Sequence, residues 1–133
     1  MTASANRTRP LSPLNAITLL ILAALPDVAA ALTLTTPSYL ITITVNCEEG
    51  VIGCDDVSYV GVNRKNKKSI YLKGRERMHY CPSDEGDGPG KTPCHHEGYE
   101  FHNGKTKYFI GDDGSLEVSQ GAKILLQEKG TMD

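Results

Sequence analysis

The cysteines and histidines are the residues of this chain whose types and spacing could do chemistry. There are four of each, and most fall in one short stretch: His79, Cys81, Cys94, His95 and His96. Two thiolates and two imidazoles form a tetrahedral ligand set that Zn²⁺ prefers. A weaker transition-metal site built from the three histidines alone is the alternative.

The first 31 residues have the pattern of a secretion signal. Arg7 and Arg9 supply positive charge, an apolar run extends from Ile17 to Leu25, and small residues precede a predicted cleavage after Ala31. The apolar run is too short to span a bilayer. We therefore expect a cleaved signal peptide at 1–31, a single domain at 32–133, and a periplasmic protein with no stable membrane anchor.

The predicted compartment decides what the cysteines do. Cysteine binds a metal as the thiolate, whereas an oxidising periplasm converts neighbouring thiols to disulfides. Of the three possible pairings, we predict Cys47 with Cys54 and Cys81 with Cys94, because both pairs enclose turn-rich segments. On the loop-entropy model, the two bridges contribute about 2.5 and about 3 kcal/mol. We accordingly expect no metal and no other cofactor.

The chain carries no recognised catalytic motif. Its serines include Ser58, Ser69, Ser83, Ser115 and Ser119, and none lies in a G-x-S-x-G nucleophile elbow. An HExxH helix, a Walker loop and a glycine-rich dinucleotide turn are also missing. With all cysteines paired there is no free thiol nucleophile. The sequence therefore predicts a binding module that is not an enzyme.

The elements that must position these residues are predicted to be strands. In the run from Tyr39 to Val45, large apolar residues alternate with threonines, which is typical of a half-buried strand. Gly74 is interpreted as a bend between two shorter strands. The eight predicted strands are Tyr39–Val45, Val57–Asn63, Ser69–Lys73, Arg77–Cys81, Tyr99–His102, Lys105–Ile110, Ser115–Val118 and Lys123–Gln127.

The last third of the chain predicts an antiparallel meander. Asn103 and Gly104 are expected to supply the two left-handed positions of a type I′ hairpin turn. Further turns are predicted at Asp112-Asp113-Gly114 and at Gln120-Gly121. No capped helical periodicity follows Leu32, so we predict an all-β domain of about eight short antiparallel strands. Closure as a small barrel and folding into a sandwich remain alternatives.

Two charged stretches are candidate partner-binding sites. The basic stretch contains Arg64, Lys65, Lys67 and Lys68, and the acidic loop contains Asp84, Glu85 and Asp87. A solvated turn is the other interpretation of the basic stretch, and the acidic loop lacks the ligand spacing of a helix-loop-helix calcium site. Residues 32–133 hold 12 Lys and Arg against 15 Asp and Glu, a net charge of −3. That balance disfavours a nucleic-acid partner.

Most of the domain resembles the small periplasmic immunity proteins that bacteria pair with phospholipase D-type toxins of type VI secretion. Three stretches carry the resemblance: LTLTTPSYLITITVNCEEGVIGCDDVSYVGVNRKNKKSIYLKG from Leu32, TPC from Thr92, and GYEFHNGKTKYFIGDDGSLEVSQGAKILLQEKG from Gly98. The departure is the stretch from Pro82 to Lys91, which is longer and more acidic than expected in that family.

The resemblance implies a stoichiometric inhibitor that meets an incoming phospholipase in the periplasm and occludes its active-site cleft. Two alternatives remain, and the second belongs to another functional class. One is a periplasmic lysozyme inhibitor, although the Ser-Gly-x-x-Tyr loop of inhibitors of c-type lysozyme is not found in this sequence. The other is a periplasmic metal-binding protein that uses His79, His95 and His96.

Overall fold

The computed structural model describes residues 29–81 and 92–133. These residues form nine strands and no helix, which confirms the predicted all-β class. The strands are β1 (Ala31–Thr35), β2 (Tyr39–Val45), β3 (Val57–Asn63), β4 (Ser69–Cys81), β5 (Thr92–Asn103), β6 (Thr106–Gly111), β7 (Ser115–Gln120), β8 (Lys123–Lys129) and β9 (Thr131–Met132). Within the described ranges, no helix is long and apolar enough to cross a membrane.

The strands form one antiparallel meander. Each strand from β1 to β8 pairs with the next along the chain, in the order β8-β7-β6-β5-β4-β3-β2-β1-β9. The meander predicted for the last third therefore extends through the described domain. Because the final strand β9 pairs with the first strand β1, the sheet curls into a nearly closed barrel. Of the two architectures considered above, the barrel is the one that forms.

Hydrogen bonds hold the seam between the two edges of the sheet. Thr33 and Asp133 exchange backbone hydrogen bonds of 2.8 and 2.9 Å. Ser38, in the turn after β1, donates from its N–H and its hydroxyl to the carboxylate of Glu128 on β8. These contacts tie the C-terminal end of the sheet to β1 and to the turn that follows it.

The core lies inside the barrel and follows the alternation of the sequence. On β2, Ile41 and Ile43 are fully buried and flank the half-exposed Thr42. Across the interior, the ring centroids of Tyr59 and Phe101 lie 5.1 Å apart. Each large side chain buried in this way contributes roughly 1.5–3 kcal/mol of hydrophobic stabilisation.

The observed strands differ from the predicted ones in several places, and the largest differences concern β1, β4 and β5. β1 was not predicted, and β5 begins at Thr92, seven residues before the predicted strand starts at Tyr99. β4 is one strand of 13 residues that continues through Gly74, where a bend was expected. A Cβ at Gly74 would lie 2.1 Å from the carbonyl oxygen of Glu100, so the glycine is needed for the close approach of β5.

The predicted type I′ turn between β5 and β6 is wrong. Asn103 is the last residue of β5 and pairs with Thr106, so Gly104 and Lys105 occupy the two central positions. Gly104 has a φ of 59°, and the one non-glycine residue with positive φ in the described ranges is Lys67. A left-handed glycine at the first central position alone is the φ pattern of a type II′ turn.

Both predicted disulfides are present. Cys47–Cys54 lies in the connection between β2 and β3, and Cys81–Cys94 joins the end of β4 to the beginning of β5. Two disulfides indicate an oxidising, extracytoplasmic environment. Of the predicted signal peptide, residues 1–28 lie outside the described ranges, and Ala31 is the first residue of β1.

Candidate partner-binding surface

The lysines of the predicted basic stretch lie in the turn between β3 and β4. Asn63 shapes this turn, because its side-chain oxygen accepts the N–H groups of Lys65 at 2.9 Å and Asn66 at 3.2 Å. Lys67 follows with a φ of 62°, and Lys68 donates its N–H to the side chain of Asn66. We call Lys65, Lys67 and Lys68 the basic turn. All three are exposed, and none forms an ion pair with another described residue.

Arg64 differs from the three lysines in what its side chain does. Its guanidinium donates to the carbonyl of Thr36 at 2.8 Å and to that of Pro37 at 3.4 Å. Its backbone N–H donates to the carbonyl of Ser38 at 2.8 Å. Arg64 therefore ties the β3–β4 turn to the β1–β2 turn, and it anchors the basic turn more than it offers charge to a partner.

A cavity of about 190 Å³ adjoins the basic turn. Tyr39, Tyr59 and Tyr108 line it, and Asn66 and Lys68 of the turn form part of its wall. We call it the tyrosine cavity. Pockets for drug-sized ligands measure about 300–1,000 Å³, so this cavity suits a single amino-acid side chain better than a small-molecule substrate.

Tyr59 gives the tyrosine cavity its chemistry. The residue is 2 % exposed and its ring also contacts that of Tyr108, with centroids 5.7 Å apart. Burial raises the pKa of the Tyr59 phenol well above its ordinary value. The hydroxyl therefore remains protonated and able to donate a hydrogen bond at any physiological pH.

A second charged surface runs across β4 and β5. Arg77 contacts Glu97 at 2.9 Å and Glu100 at 3.6 Å, while Arg75 lies 3.4 Å from Glu100. A hydrogen bond with His102, helped by the two arginines, holds the pKa of the Glu100 carboxyl below its ordinary value despite partial burial. We call this row the charge ladder. Because its charges are paired, it offers less net charge to a partner than the basic turn does.

The histidine group predicted from the sequence is partly assembled beyond the charge ladder. His79 and His95 are direct partners on β4 and β5, and their rings stack with centroids 4.6 Å apart. His96 takes no part, because its Nδ1 lies 2.7 Å from Asp112 and its ring packs edge-on against Tyr99. Cys81 and Cys94 are held in their disulfide.

The sequence did not indicate the tyrosine cavity, and it did not indicate that Glu97 would lie beside His79 and His95. Val57 and Tyr59 lie two residues apart and so on one face of β3, which indicated an inward side chain for Tyr59 but did not show which strands would face it. Glu97 approaches His79 to 3.2 Å. The predicted acidic contacts Asp84, Glu85 and Asp87 lie in the stretch 82–91, outside the described residues.

Comparisons of the chain with protein-family models, with curated proteins and with solved structures found no match.

Proposed function

We propose that this chain is an immunity protein that binds and inhibits a phospholipase D-type toxin arriving in the periplasm. The observation that carries the proposal is the basic turn beside the tyrosine cavity: three exposed lysines next to a recess the size of one side chain. The link to a phospholipase comes from the resemblance stated above. Binding is stoichiometric, and the scaffold covers the toxin's active-site cleft without changing a substrate of its own.

The scaffold supports tight binding because it is already ordered. Two disulfides and a nearly closed barrel restrict the chain before it meets a partner. The Asn63 and Asn66 side chains fix the backbone of the basic turn itself. A pre-organised surface loses little conformational entropy on association, which leaves more of the contact energy for affinity.

The surface also suits a partner of particular chemistry. Three lysines favour an acidic segment on the toxin, and charge complementarity of this kind accelerates association more than it slows dissociation. The tyrosine cavity accepts one aromatic or aliphatic side chain from that segment, in the manner of an interface anchor residue. The proposed partner surface is therefore an acidic loop that carries a single apolar residue.

The test uses the phospholipase encoded by a reading frame next to this gene. Purified toxin is assayed for headgroup release from phospholipid vesicles, with increasing amounts of the disulfide-bonded chain. Inhibition that saturates near one chain per toxin supports the proposal. A toxin that keeps full activity in molar excess of the chain, or neighbouring frames that encode no phospholipase, contradicts it. Inhibition of lysozyme by the same preparation instead supports the alternative class.

The basic turn is tested by charge reversal at two lysines. We expect Lys65→Glu with Lys67→Glu to lower the association rate with the toxin at least about tenfold at low ionic strength, with a smaller effect at high salt. The matched control is Lys105→Glu with Lys123→Glu, because these two lysines are also exposed and form no ion pair with another described residue. Equal association rates for the two double variants, measured by surface binding kinetics, would remove the basic turn from the proposal.

A further inference from the structure

The β4–β5 hairpin carries a second group of residues that the proposed inhibitor function does not use. His79, His95 and Glu97 each offer one ligand atom, and the three atoms lie within 4.8 Å of one another. We propose that these three residues form a binding site for a first-row divalent transition-metal cation, with Zn²⁺ as the reference ion. This inference is independent of the proposed toxin partner.

The ligand chemistry matches the proposed ion. Two imidazoles and one carboxylate form the protein ligand set of open zinc sites, which leave a fourth position for water or another molecule. In a tetrahedral site with ligands at about 2.1 Å, neighbouring ligand atoms are roughly 3.4 Å apart. His79 Nδ1 and Glu97 Oε1 are already 3.2 Å apart. The His95 nitrogen lies within 4.8 Å of these two atoms. Because imidazole binds an ion in the plane of its ring, the stacked rings of His79 and His95 must turn out of their stack when the ion binds.

The neighbouring residues orient the carboxylate of Glu97. Arg77 Nε lies 2.9 Å from Glu97 Oε2, which leaves Oε1 directed toward His79. The Arg77 guanidinium is itself fixed, because it lies 5.1 Å above the ring of Phe109 and near Glu100. Partners that hold a ligand in this way commonly change metal affinity by about 10–100-fold when they are removed.

The backbone of the β4–β5 hairpin is irregular on both sides of the His79–His95 pair. The strand register shifts between Arg77 and Met78 and again between His79 and Tyr80, so two bulges bracket the His79–His95 pair. Bulges redirect side chains and are frequent next to functional sites. The Cys81–Cys94 disulfide closes the hairpin directly beyond the histidines and limits how far the two strands can separate.

The site is also accessible to an ion from solvent. The side chain of His79 is 49 % exposed and that of Glu97 is 28 % exposed. His96 is not among the ligands, so the set differs from the three histidines considered in the sequence. Glu97, the residue after His96, supplies a carboxylate in place of the third imidazole.

Binding is measured by isothermal titration of Zn²⁺ into the untagged, disulfide-bonded chain in a buffer without chelating groups. We expect one saturable site per chain. His95→Gln and His79→Gln should each weaken Zn²⁺ binding at least about 100-fold, and Arg77→Gln about tenfold. The matched controls are His102→Gln and His96→Gln, which remove imidazoles outside the site and should leave the affinity within about twofold.

A second measurement separates loss of the site from loss of the fold. Zn²⁺ should raise the thermal unfolding midpoint of the wild type and of His102→Gln but not that of His95→Gln. A variant that unfolds at the wild-type midpoint without Zn²⁺ has kept its fold. No saturable binding to the wild type overturns the proposal, and so does binding that survives in both His79→Gln and His95→Gln. A thiol assay that detects free cysteine in the titrated sample also overturns it, because thiolates would then supply the ligands.

Discussion

Gly98 on β5 occupies a position that no other residue type can fill without rearrangement. Its φ is 149°, and a Cβ built there would lie 2.0 Å from the carbonyl oxygen of Ile110 on β6. Gly98 pairs with Arg77 at the first register shift of the hairpin. The path of β5 past Glu97 therefore depends on the absence of a side chain at this residue.

We predict that Gly98→Ala lowers the free energy of unfolding by roughly 2 to 5 kcal/mol, because backbone strain and overpacking act together. Gly104→Ala is the matched control. Gly104 also has a positive φ of 59°, but a Cβ added there would meet nothing within 4 Å. Its substitution should cost only about 1 kcal/mol. Urea denaturation with both disulfides intact measures the two values, and equal losses would contradict the steric argument.

The histidine group shows which contacts the spacing of residues in the sequence could predict and which it could not. The sequence placed His79 and His95 in one set, and the structure makes them cross-strand neighbours. The third predicted histidine, His96, turns instead toward Asp112 and Tyr99. Whether His96 or Glu97 joins His79 and His95 depends on the bulge opposite Arg77 and Met78. A bulge arises from how two strands pack together, and the spacing of residues in one strand does not contain it.

At the scale of elements, strands with strong alternation of apolar and polar residues were predicted correctly, and a strand segment without that alternation was not. The predicted bounds of β2 and β3 are those observed, because each has regular apolar positions and a turn or disulfide loop beside it. The first half of β5, from Thr92 to Gly98, has no such alternation and was missed. This segment is a strand because β4 supplies its hydrogen-bond partners and the Cys81–Cys94 bridge holds it there.

The two disulfides differ in burial, and we predict that their removal lowers the free energy of unfolding by different amounts. Loop entropy alone ranks Cys81–Cys94 higher, at about 3 against about 2.5 kcal/mol. However, Cys54 is 1 % exposed and belongs to the core, whereas Cys94 is exposed. Replacing Cys54 therefore also leaves a small cavity, which adds roughly 1–2 kcal/mol.

We accordingly expect Cys47→Ala with Cys54→Ala to cost about 4 kcal/mol and Cys81→Ala with Cys94→Ala about 3 kcal/mol. Equilibrium unfolding in urea measures both, and a thiol assay checks that the remaining bridge is intact. If the Cys81–Cys94 variant is the less stable of the two, core burial of Cys54 does not decide the order.

On the scale of the whole molecule, few contacts hold the seam of the barrel, and the carboxylate of Glu128 makes one of them. Glu128 on β8 accepts two hydrogen bonds from Ser38, and this pair links segments 90 residues apart in the chain. The β9–β1 pairing alone covers two residue pairs. The backbone hydrogen bonds between Thr33 and Asp133 extend this short pairing, and the Glu128 contact adds a side-chain link to it.

This contact predicts loss of stability in acid. Burial acts against ionisation of Glu128, but hydrogen bonds from Ser38 and Thr36 outweigh it and lower the pKa of the carboxyl below its ordinary value. A group whose folded pKa is lowered contributes stability that is fully present above its unfolded pKa. That contribution is lost as the pH falls through the folded pKa. The barrel should therefore lose stability as the pH falls below about 5, where an unfolded glutamate begins to take up its proton, and the loss continues as the pH falls through the lowered folded pKa.

We expect Glu128→Gln to cost about 1 kcal/mol at pH 7, since solvent screens a partly exposed contact. The variant should also lose stability less steeply in acid than the wild type, because it has already lost the ionised partner of Ser38. Glu48→Gln, an exposed position in the β2–β3 connection, is the control and should follow the wild type throughout. Urea unfolding at a series of pH values measures the slopes. A Glu128→Gln variant with wild-type stability at pH 7 and the wild-type acid slope would mean that the barrel is held closed by β9 alone.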